Sequence, residues 1–278
     1  MASRVSEIVK DRTAMATTSP QKSMLEKFRQ AKDNEIASLL EQKKQGLMPP
    51  PFTGTRPPFC ASLKKRFPAV IAEYKRASPS KGEINLDNTP EKVAQDYAQG
   101  GAGAISVLTE EKYFQGHLSY LYQMAAFNLP LLRKDFIYHP IQVERTAAIP
   151  ASAILVIVRC VDDEMLATLI QTSLSYGLEP VVEVCDSEDL VRAKKANAKI
   201  IQVNNRNLDI LVIDKAISAK LIPEKSADEF WITASGIETH DELLRLLNLG
   251  FDAALIGSFL MEGGTPGRKL AALIKGEE

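Results

Sequence analysis

Eight short apolar runs alternate with amphipathic stretches through most of this chain, and this alternation restricts the fold more than any other feature. The runs cover residues 69–73, 103–108, 129–133, 153–158, 180–184, 199–203, 230–234 and 253–257. Continuous apolar strands separated by helices are typical of a parallel sheet that is buried on both faces. Eight of them favour a single (β/α)8 barrel, a TIM barrel, over an open doubly wound sheet.

The stretches between the runs are predicted to be the helices that cover the barrel. Amphipathic periodicity is present over residues 90–99, 141–148, 162–176, 187–196 and 240–249. With this assignment, residues 67–278 form the barrel domain.

A separate N-terminal region precedes the first run. Residues 1–18 are polar without a pattern, and we expect them to be flexible. Residues 19–66 are predicted to be a helical extension with a proline-rich linker. Ser19 is the expected N-cap, with Pro20 at the first helical position.

Composition excludes several classes of function. The formal net charge of -1 argues against nucleic acid as a partner. No apolar run is long enough to span a bilayer, so no membrane partner is expected. Metal ligation is not indicated either, since the three cysteines and three histidines lack ligand spacing. Widely separated cysteines fit a reducing cytoplasm.

Polar and charged residues stand at the C-terminal ends of several runs. They are Lys75, Lys134, Glu183, Asn204 and the pair Ser235-Gly236. A charge at the end of an apolar strand is costly unless it shares a solvated pocket. Because all strand C-termini of a (β/α)8 barrel open onto one pocket, these residues predict a common site.

Strand periodicity predicts which side chains point inward. Glu73 and Lys75 are two residues apart and share a face. Lys134 has the parity of Leu132, which we take as the inward face. We expect burial to lower the pKa of Lys134 and suit it to act as a general acid. Glu183, inside an apolar run, is expected to pair with Lys134 or Lys75.

Simpler interpretations of these residues stay open at this point. Glu73 and Lys75 could form a surface ion pair, and Lys134 could be a solvated residue at a strand edge. Asn204 could serve a turn. The small residues Ser235-Gly236 and Gly257-Ser258 follow the seventh and eighth runs, where such barrels usually bind phosphate.

Several motifs together resemble indole-3-glycerol phosphate synthase. They are IAEYKRASPSKGEI, AISVLTEEKYFQGHLSYL, LPLLRKDFI, VNNRNL, ASGI and LIGSFLM, which lie between residues 71 and 261, within a resemblance that runs from about residue 60 to 275. The resemblance implies a barrel whose N-terminal helical extension covers the mouth. It also implies a small phosphorylated substrate, 1-(2-carboxyphenylamino)-1-deoxyribulose 5-phosphate. Ring closure, decarboxylation and dehydration would follow without metal or organic cofactor.

The resemblance also implies catalytic roles for particular residues. Lys134 matches the general acid for ring closure. Lys75 matches the group that meets the substrate carboxylate, and it would also take part in the dehydration. Glu73 and Glu183 would be the carboxylates of the site, and Asn204 would orient the substrate.

The same comparison assigns the residues that bind the two ends of the substrate. The phosphate would be held by Lys75, Ser78, Ser235, Gly236, Gly257 and Ser258. The anthranilate pocket would consist of Pro79, Phe114, Phe136, Leu155 and Leu208, with Arg206 as its support. A cytoplasmic monomer is expected.

Among the departures from the pattern of that family, two bear directly on the site. Ala234 stands where the family usually has glutamate, and Gln202 stands where it usually has glycine. These departures keep open an alternative function, a catalytically attenuated phosphate-binding barrel with a binding or regulatory role. Gln202 has the parity of Asn204, so we expect its amide to point into the barrel, towards the space that Ala234 leaves.

Overall fold

The computed structural model describes residues 23–277 of the chain. The flexible segment predicted for residues 1–18 and the predicted cap at Ser19-Pro20 therefore lie outside the described residues. The first described helix begins at Met24, with Ser23 as its N-cap in a capping box with Glu26.

Eight parallel strands close into a barrel, which confirms the predicted (β/α)8 fold. The strands are β1 Val70–Tyr74, β2 Ala104–Leu108, β3 Leu131–Lys134, β4 Ala153–Ile157, β5 Glu179–Val184, β6 Ile200–Asn204, β7 Phe230–Ala234 and β8 Ala253–Ile256. Each strand pairs with the next in chain order, and β8 pairs with β1 to close the ring. Each predicted apolar run overlaps one of these strands, and its ends differ from those of the strand by at most two residues.

Helices surround the barrel and extend before it. They are α1 Met24–Lys44, α2 Phe59–Leu63, α3 Pro90–Gly100, α4 Glu111–Phe114, α5 Ser119–Met124, α6 Pro140–Ala147, α7 Asp163–Ser175, α8 Ser187–Lys195, α9 Ala216–Leu221, α10 His240–Asn248, α11 Ser258–Met261 and α12 Pro266–Lys275. A short antiparallel pair, Ala77–Ser78 with Gly82–Glu83, follows β1. Single 3₁₀ turns occur at Ala125–Phe127, Val158–Cys160, Ile222–Glu224 and Glu262–Gly264.

Local sequence explains where the covering helices begin and end. Thr89 caps α3 by accepting a hydrogen bond from the backbone of Lys92, and Pro90 takes the first helical position. Gly101 ends the same helix in the left-handed conformation. Thr239 caps α10 in the same way as Thr89 caps α3.

Alternation along the strands divides the core into two layers. Residues such as Val70, Ala72 and Val156 face the helices in one cluster. Residues of the opposite parity, such as Ile71 and Leu155, fill the barrel in a second cluster. Near the carboxyl ends of the strands the inward positions become polar, and there the barrel opens into a pocket.

The N-terminal extension contacts the barrel at two places. Phe59 and Leu63 of α2 are fully buried in the cluster that fills the barrel interior. The carboxylate of Glu179, at the start of β5, accepts hydrogen bonds from the backbone of Phe59 and Cys60. Phe28 of α1 lines the pocket at the other end of the barrel.

Candidate active site

One pocket at the carboxyl ends of the strands gathers every site residue that the sequence suggested. These residues are Glu73, Lys75, Ser78, Pro79, Phe114, Lys134, Phe136, Leu155, Glu183, Asn204, Arg206, Leu208, Ser235, Gly236, Gly257 and Ser258. They come from distant parts of the chain, and the closure of the barrel brings them together. Their individual roles remain predictions.

Glu73 lies at the centre of the charged side of the pocket. Its carboxylate is 3.2 Å from Nζ of Lys75 and 3.5 Å from Nζ of Lys134. Ser106 Oγ donates a third contact at 3.3 Å. Burial would raise the pKa of Glu73, but the two lysines outweigh burial and hold it below its usual value. Glu73 is therefore ionised at neutral pH, and the surface ion pair is excluded because its side chain is buried.

The two lysines differ in the direction of their pKa shifts. Burial lowers the pKa of Lys134, but the carboxylates of Glu73 and Glu183 raise it by more, so the net shift is upward. The predicted lowering for Lys134 is therefore wrong, because the attraction of the two carboxylates exceeds the effect of burial. Burial does lower the pKa of Lys75, and Glu73 offsets this only in part. Lys134 is thus the more firmly protonated of the two.

Glu183 is held by amides and not by a lysine. Asn204 Nδ2 donates to its Oε1 at 3.1 Å, and Gln202 Nε2 donates to its Oε2. Within residues 23–277 no lysine or arginine nitrogen forms an ion pair with Glu183, so the expected pairing with Lys134 or Lys75 is wrong. The reason is that Lys75, directly after β1, and Lys134 of β3 both contact Glu73. Glu183 of β5 instead has the amides of β6 beside it. Lys134 still feels the charge of Glu183 at longer range.

Asn204 connects the carboxylate side of the pocket to the loop after β7. Its Oδ1 accepts hydrogen bonds from Ser235 Oγ at 2.9 Å and from the backbone of Arg206 at 3.0 Å. The side chain is buried, and all of its contacts fix the direction of the amide. Asn204 therefore serves the turn after β6, through the bond from Arg206, and also presents an oriented amide in the pocket.

Small residues shape the other wall of the pocket. Ser235 and Gly236 both have left-handed backbone conformations, with φ of 73° and 84°. At Gly257 a Cβ would lie 2.4 Å from Oε1 of Glu73, so only glycine permits this approach. Lys75 Nζ donates to Ser258 Oγ at 3.3 Å, which links the charged centre to the loop after β8.

An apolar side faces these charges and includes one residue that the sequence did not assign. Phe28 stacks on Phe136 with 4.4 Å between ring centroids and packs against Phe114 at 5.8 Å. Phe28 belongs to the buried face of α1. Because α1 is far from the barrel strands in sequence, no local pattern predicts this contact. Arg206 lines the same pocket, and its Nη1 donates to the backbone carbonyl of Leu211 at 2.9 Å.

A second charged cluster lies behind the pocket and was also not predicted. We call it the Asp135 network, and it consists of Lys32, Glu35, Thr109, Arg133 and Asp135. Asp135 contacts Lys32 Nζ at 2.8 Å and Arg133 Nη2 at 2.8 Å, and Thr109 donates to it at 2.6 Å. Burial would raise the pKa of Asp135, but Lys32 and Arg133 hold it below its usual value. The network joins α1 to the end of β3, next to Lys134.

The histidines take structural positions. His139 accepts a hydrogen bond from the backbone of Ile141 at the start of α6, and His240 contacts the carbonyl of Leu273 at 2.8 Å. Across residues 23–277, no three histidine, cysteine, aspartate or glutamate side chains are grouped as metal ligands. In the same part of the chain, every helix is too short or too polar to cross a membrane.

Comparisons with known proteins identify the family. A model of the family described as indole-3-glycerol phosphate synthase matches residues 25–273. The enzyme of that name from Polaromonas naphthalenivorans (strain CJ2) is 40% identical over 207 residues, which is 74% of this chain and 79% of the relative. The one from Acidithiobacillus ferrooxidans (strain ATCC 53993 / BNL-5-31) is 42% identical over 226 residues, covering 79% and 86%.

A solved structure supports the fold alone. A mandelate oxidase mutant superposes with a TM-score of 0.57 at 19% identity, over 76% of this chain and 72% of that chain. At that identity the match concerns the barrel architecture and not the chemistry. The family model and the curated relatives together lead to one conclusion: this chain belongs to the indole-3-glycerol phosphate synthase family.

Proposed function

We propose that this chain converts 1-(2-carboxyphenylamino)-1-deoxyribulose 5-phosphate to indole-3-glycerol phosphate, carbon dioxide and water, a step of tryptophan biosynthesis. This makes it a carboxy-lyase. The observation that carries the proposal is the convergence of Lys75, Lys134, Glu73 and Glu183 in one pocket of a chain from this family. A pocket that only bound the substrate would not need both acids and bases.

Ring closure requires an acid at the ketone oxygen of the substrate. The ring carbon that bears the carboxylate attacks C2, and the ketone oxygen takes up a proton. Lys134 suits this step because its ammonium group is protonated at neutral pH and its side chain lines the pocket, where it can donate a proton to the substrate. Glu73, at 3.5 Å, holds the ammonium group in place.

The remaining steps need a site for the carboxylate and an acid/base pair. Lys75 stands on the far side of Glu73 and would bind the substrate carboxylate until CO2 leaves and the ring regains aromaticity. Loss of the hydroxyl group as water then needs an acid and a base, for which Lys75 and Glu183 are available. Asn204 would orient the substrate between them.

The two ends of the substrate differ in chemistry, and so do the two sides of the pocket. The phosphate would bind at the loops after β7 and β8, through Ser235, Gly236, Gly257 and Ser258, with Lys75 and Ser78 nearby. The aromatic ring would lie against the apolar side, which contains Pro79, Phe114, Phe136, Leu155 and Leu208. Phe28 extends that surface from α1.

We further infer that the protein works as a cytoplasmic monomer on this small phosphorylated molecule, without nucleic acid or membrane as a partner. Every residue of the proposed site comes from one chain. The alternative of an attenuated barrel with a regulatory role is not favoured by the family comparisons, whose curated relatives carry the name of the synthase.

Product formation tests the proposal. The purified chain is mixed with the substrate, and indole fluorescence and released CO2 are followed together. We expect equal amounts of the two products at a rate of about 0.1 s⁻¹ or faster. Tight binding of the substrate without either product would contradict the proposed function and restore the attenuated barrel.

A further inference from the structure

Gln202 occupies an unusual position among the residues of the pocket. It lies on the inward face of β6, fully buried, with Glu183 of β5 as its register partner. This confirms the expectation that its side chain points into the barrel. Its Nε2 donates to Oε2 of Glu183, while its Oε1 is buried without a hydrogen-bond partner.

The direction of the amide follows from the chemistry of its neighbour. Both oxygens of Glu183 accept hydrogen bonds from amides, and the NH2 group of Gln202 accordingly faces Oε2 of that carboxylate. The carbonyl group is then left without a donor, which is unfavourable in a buried position. A cost of this kind, inside a pocket, points to a function of the side chain.

Glu183 depends on this contact because it has few other partners. Its two oxygens are held separately, Oε1 by Asn204 and Oε2 by Gln202. Within the described part of the chain no cation is paired with it, and a buried carboxylate without hydrogen bonds would be strongly disfavoured. Two amides on one strand therefore fix both the position and the rotation of the carboxylate.

We propose that Gln202 is a positioning residue, which holds the Glu183 carboxylate in the orientation needed for proton transfer and keeps it apart from the Lys134–Glu73 pair. The proposal rests on the proposed function. Asn204 alone would leave Oε2 free to rotate towards the lysines. With Gln202 present, Lys134 has Glu73 as its direct partner and Glu183 only at longer range.

The first test is Gln202→Met, which keeps the length of the side chain and removes the donor. We expect kcat to fall about 10- to 100-fold and KM to change less than about threefold, because the loss concerns orientation and not binding. Gln202→Leu, which is uncharged and also lacks the donor, is a second variant with the same expected result if the first fails to fold. Ser152→Ala is the matched control, since Ser152 Oγ is another buried polar atom without a partner and does not line the pocket.

A double-mutant cycle separates positioning from a purely structural effect. If Gln202 acts through Glu183, then Gln202→Met has no further effect on kcat, within about twofold, in a Glu183→Gln background. Equal losses in both backgrounds would overturn the inference. So would an unchanged kcat in Gln202→Met, or a rise in KM alone.

Wild-type turnover distinguishes this inference from the function on which it rests. Turnover by the wild type with an unaffected Gln202→Met variant would overturn the positioning role and leave the proposed function standing. Absence of wild-type turnover would overturn both.

Discussion

At the scale of single residues, Lys75 and Lys134 share one carboxylate but differ in protonation. Lys134 lies between two anions, so its pKa rises in spite of burial. Lys75 is attracted by Glu73 but repelled by Lys134, so burial outweighs the attraction and the pKa of Lys75 falls. Lys134 is thus a firmly charged acid, and Lys75 is a group that loses its proton more readily.

The lowered pKa of Lys75 predicts a pH dependence of substrate capture. A lowered lysine pKa means that the positive charge is lost at a lower pH than in an ordinary lysine, with its value of 10.5. Because the charged form would bind the anionic substrate, we expect kcat/KM to fall as pH rises through this lowered pKa. Lys75→Arg keeps its charge and should move that fall to higher pH. An identical alkaline limb in both proteins would contradict this role for Lys75.

Gly257 lies close to Glu73 and leaves little space around its carboxylate. A Cβ at this position would lie 2.4 Å from Oε1, so Gly257→Ala must displace the carboxylate from its lysines. We expect kcat to fall about 10- to 100-fold, since displacement by about 1 Å has effects of that size. Thermal unfolding, measured by circular dichroism, shows whether the fold is intact. A folded variant with wild-type kcat would show that Glu73 does not need its present position.

At the scale of elements, α1 and β3 form one unit through the Asp135 network. Lys32 and Glu35 of α1 meet Arg133 of β3 and Asp135, the residue directly after that strand. Phe28, one turn earlier on α1, stacks on Phe136 inside the pocket. The same face of the helix thereby holds it over the barrel mouth, through buried charges and, one turn earlier, through aromatic packing.

Asp135→Asn tests the contribution of this network to stability. Removing one partner of a buried ion pair leaves uncompensated charge, so we expect the free energy of unfolding at neutral pH to fall by about 3–5 kcal/mol. The pKa of Asp135 is below its usual value of 3.8, so its stabilisation is complete above that value and is lost as pH falls through the lowered pKa. The difference between wild type and variant should therefore shrink below pH 3.8.

Urea unfolding at several pH values measures this difference. Asp228→Asn is the control, because the Asp228–Lys199 pair is exposed, with side-chain exposures of 65% and 54%. We expect that change to leave the free energy of unfolding close to that of the wild type, because exposed ion pairs contribute little. Equal losses in the two variants would contradict the account of the Asp135 network.

Strand periodicity predicts much of this site, but not its pairing. The parity of Lys134 with Leu132, and of Gln202 with Asn204, correctly gives the inward direction of each side chain. Which carboxylate each lysine meets depends on the stagger of strands around the barrel, and no local pattern contains that information. The same limit hides the contact of Lys32 with Asp135, which joins positions 103 residues apart.

At the scale of the whole molecule, the N-terminal extension contacts the barrel at both ends. α2 packs into the interior at the amino ends of the strands, and α1 lies at the carboxyl ends, where the pocket opens. The proline-rich linker runs between them along the barrel, with Phe52 donating to the carbonyl of Ala147 at 2.8 Å. The same chain thus provides the pocket, the helix α1 beside its mouth and the helix α2 at the opposite end of the barrel.

This organisation predicts an enzyme that is active as a monomer. We expect elution at the mass of one chain, 30.6 kDa, in size-exclusion chromatography with light scattering. Specific activity should stay constant on dilution from about 10 μM to about 10 nM, because one chain supplies the lysines, carboxylates and amides of the proposed site. A loss of activity on dilution, together with a dimer at high concentration, would contradict the proposal.

The most direct test of the central claim is turnover and substrate binding in Lys134→Met. The account predicts a fall in kcat of about 1,000-fold or more, with the substrate Kd within about tenfold of wild type, because the acid is removed and the binding groups remain. Lys44→Met, at an exposed lysine of α1, should change neither quantity. Near-wild-type kcat in Lys134→Met would contradict the assignment of Lys134 as the acid of ring closure.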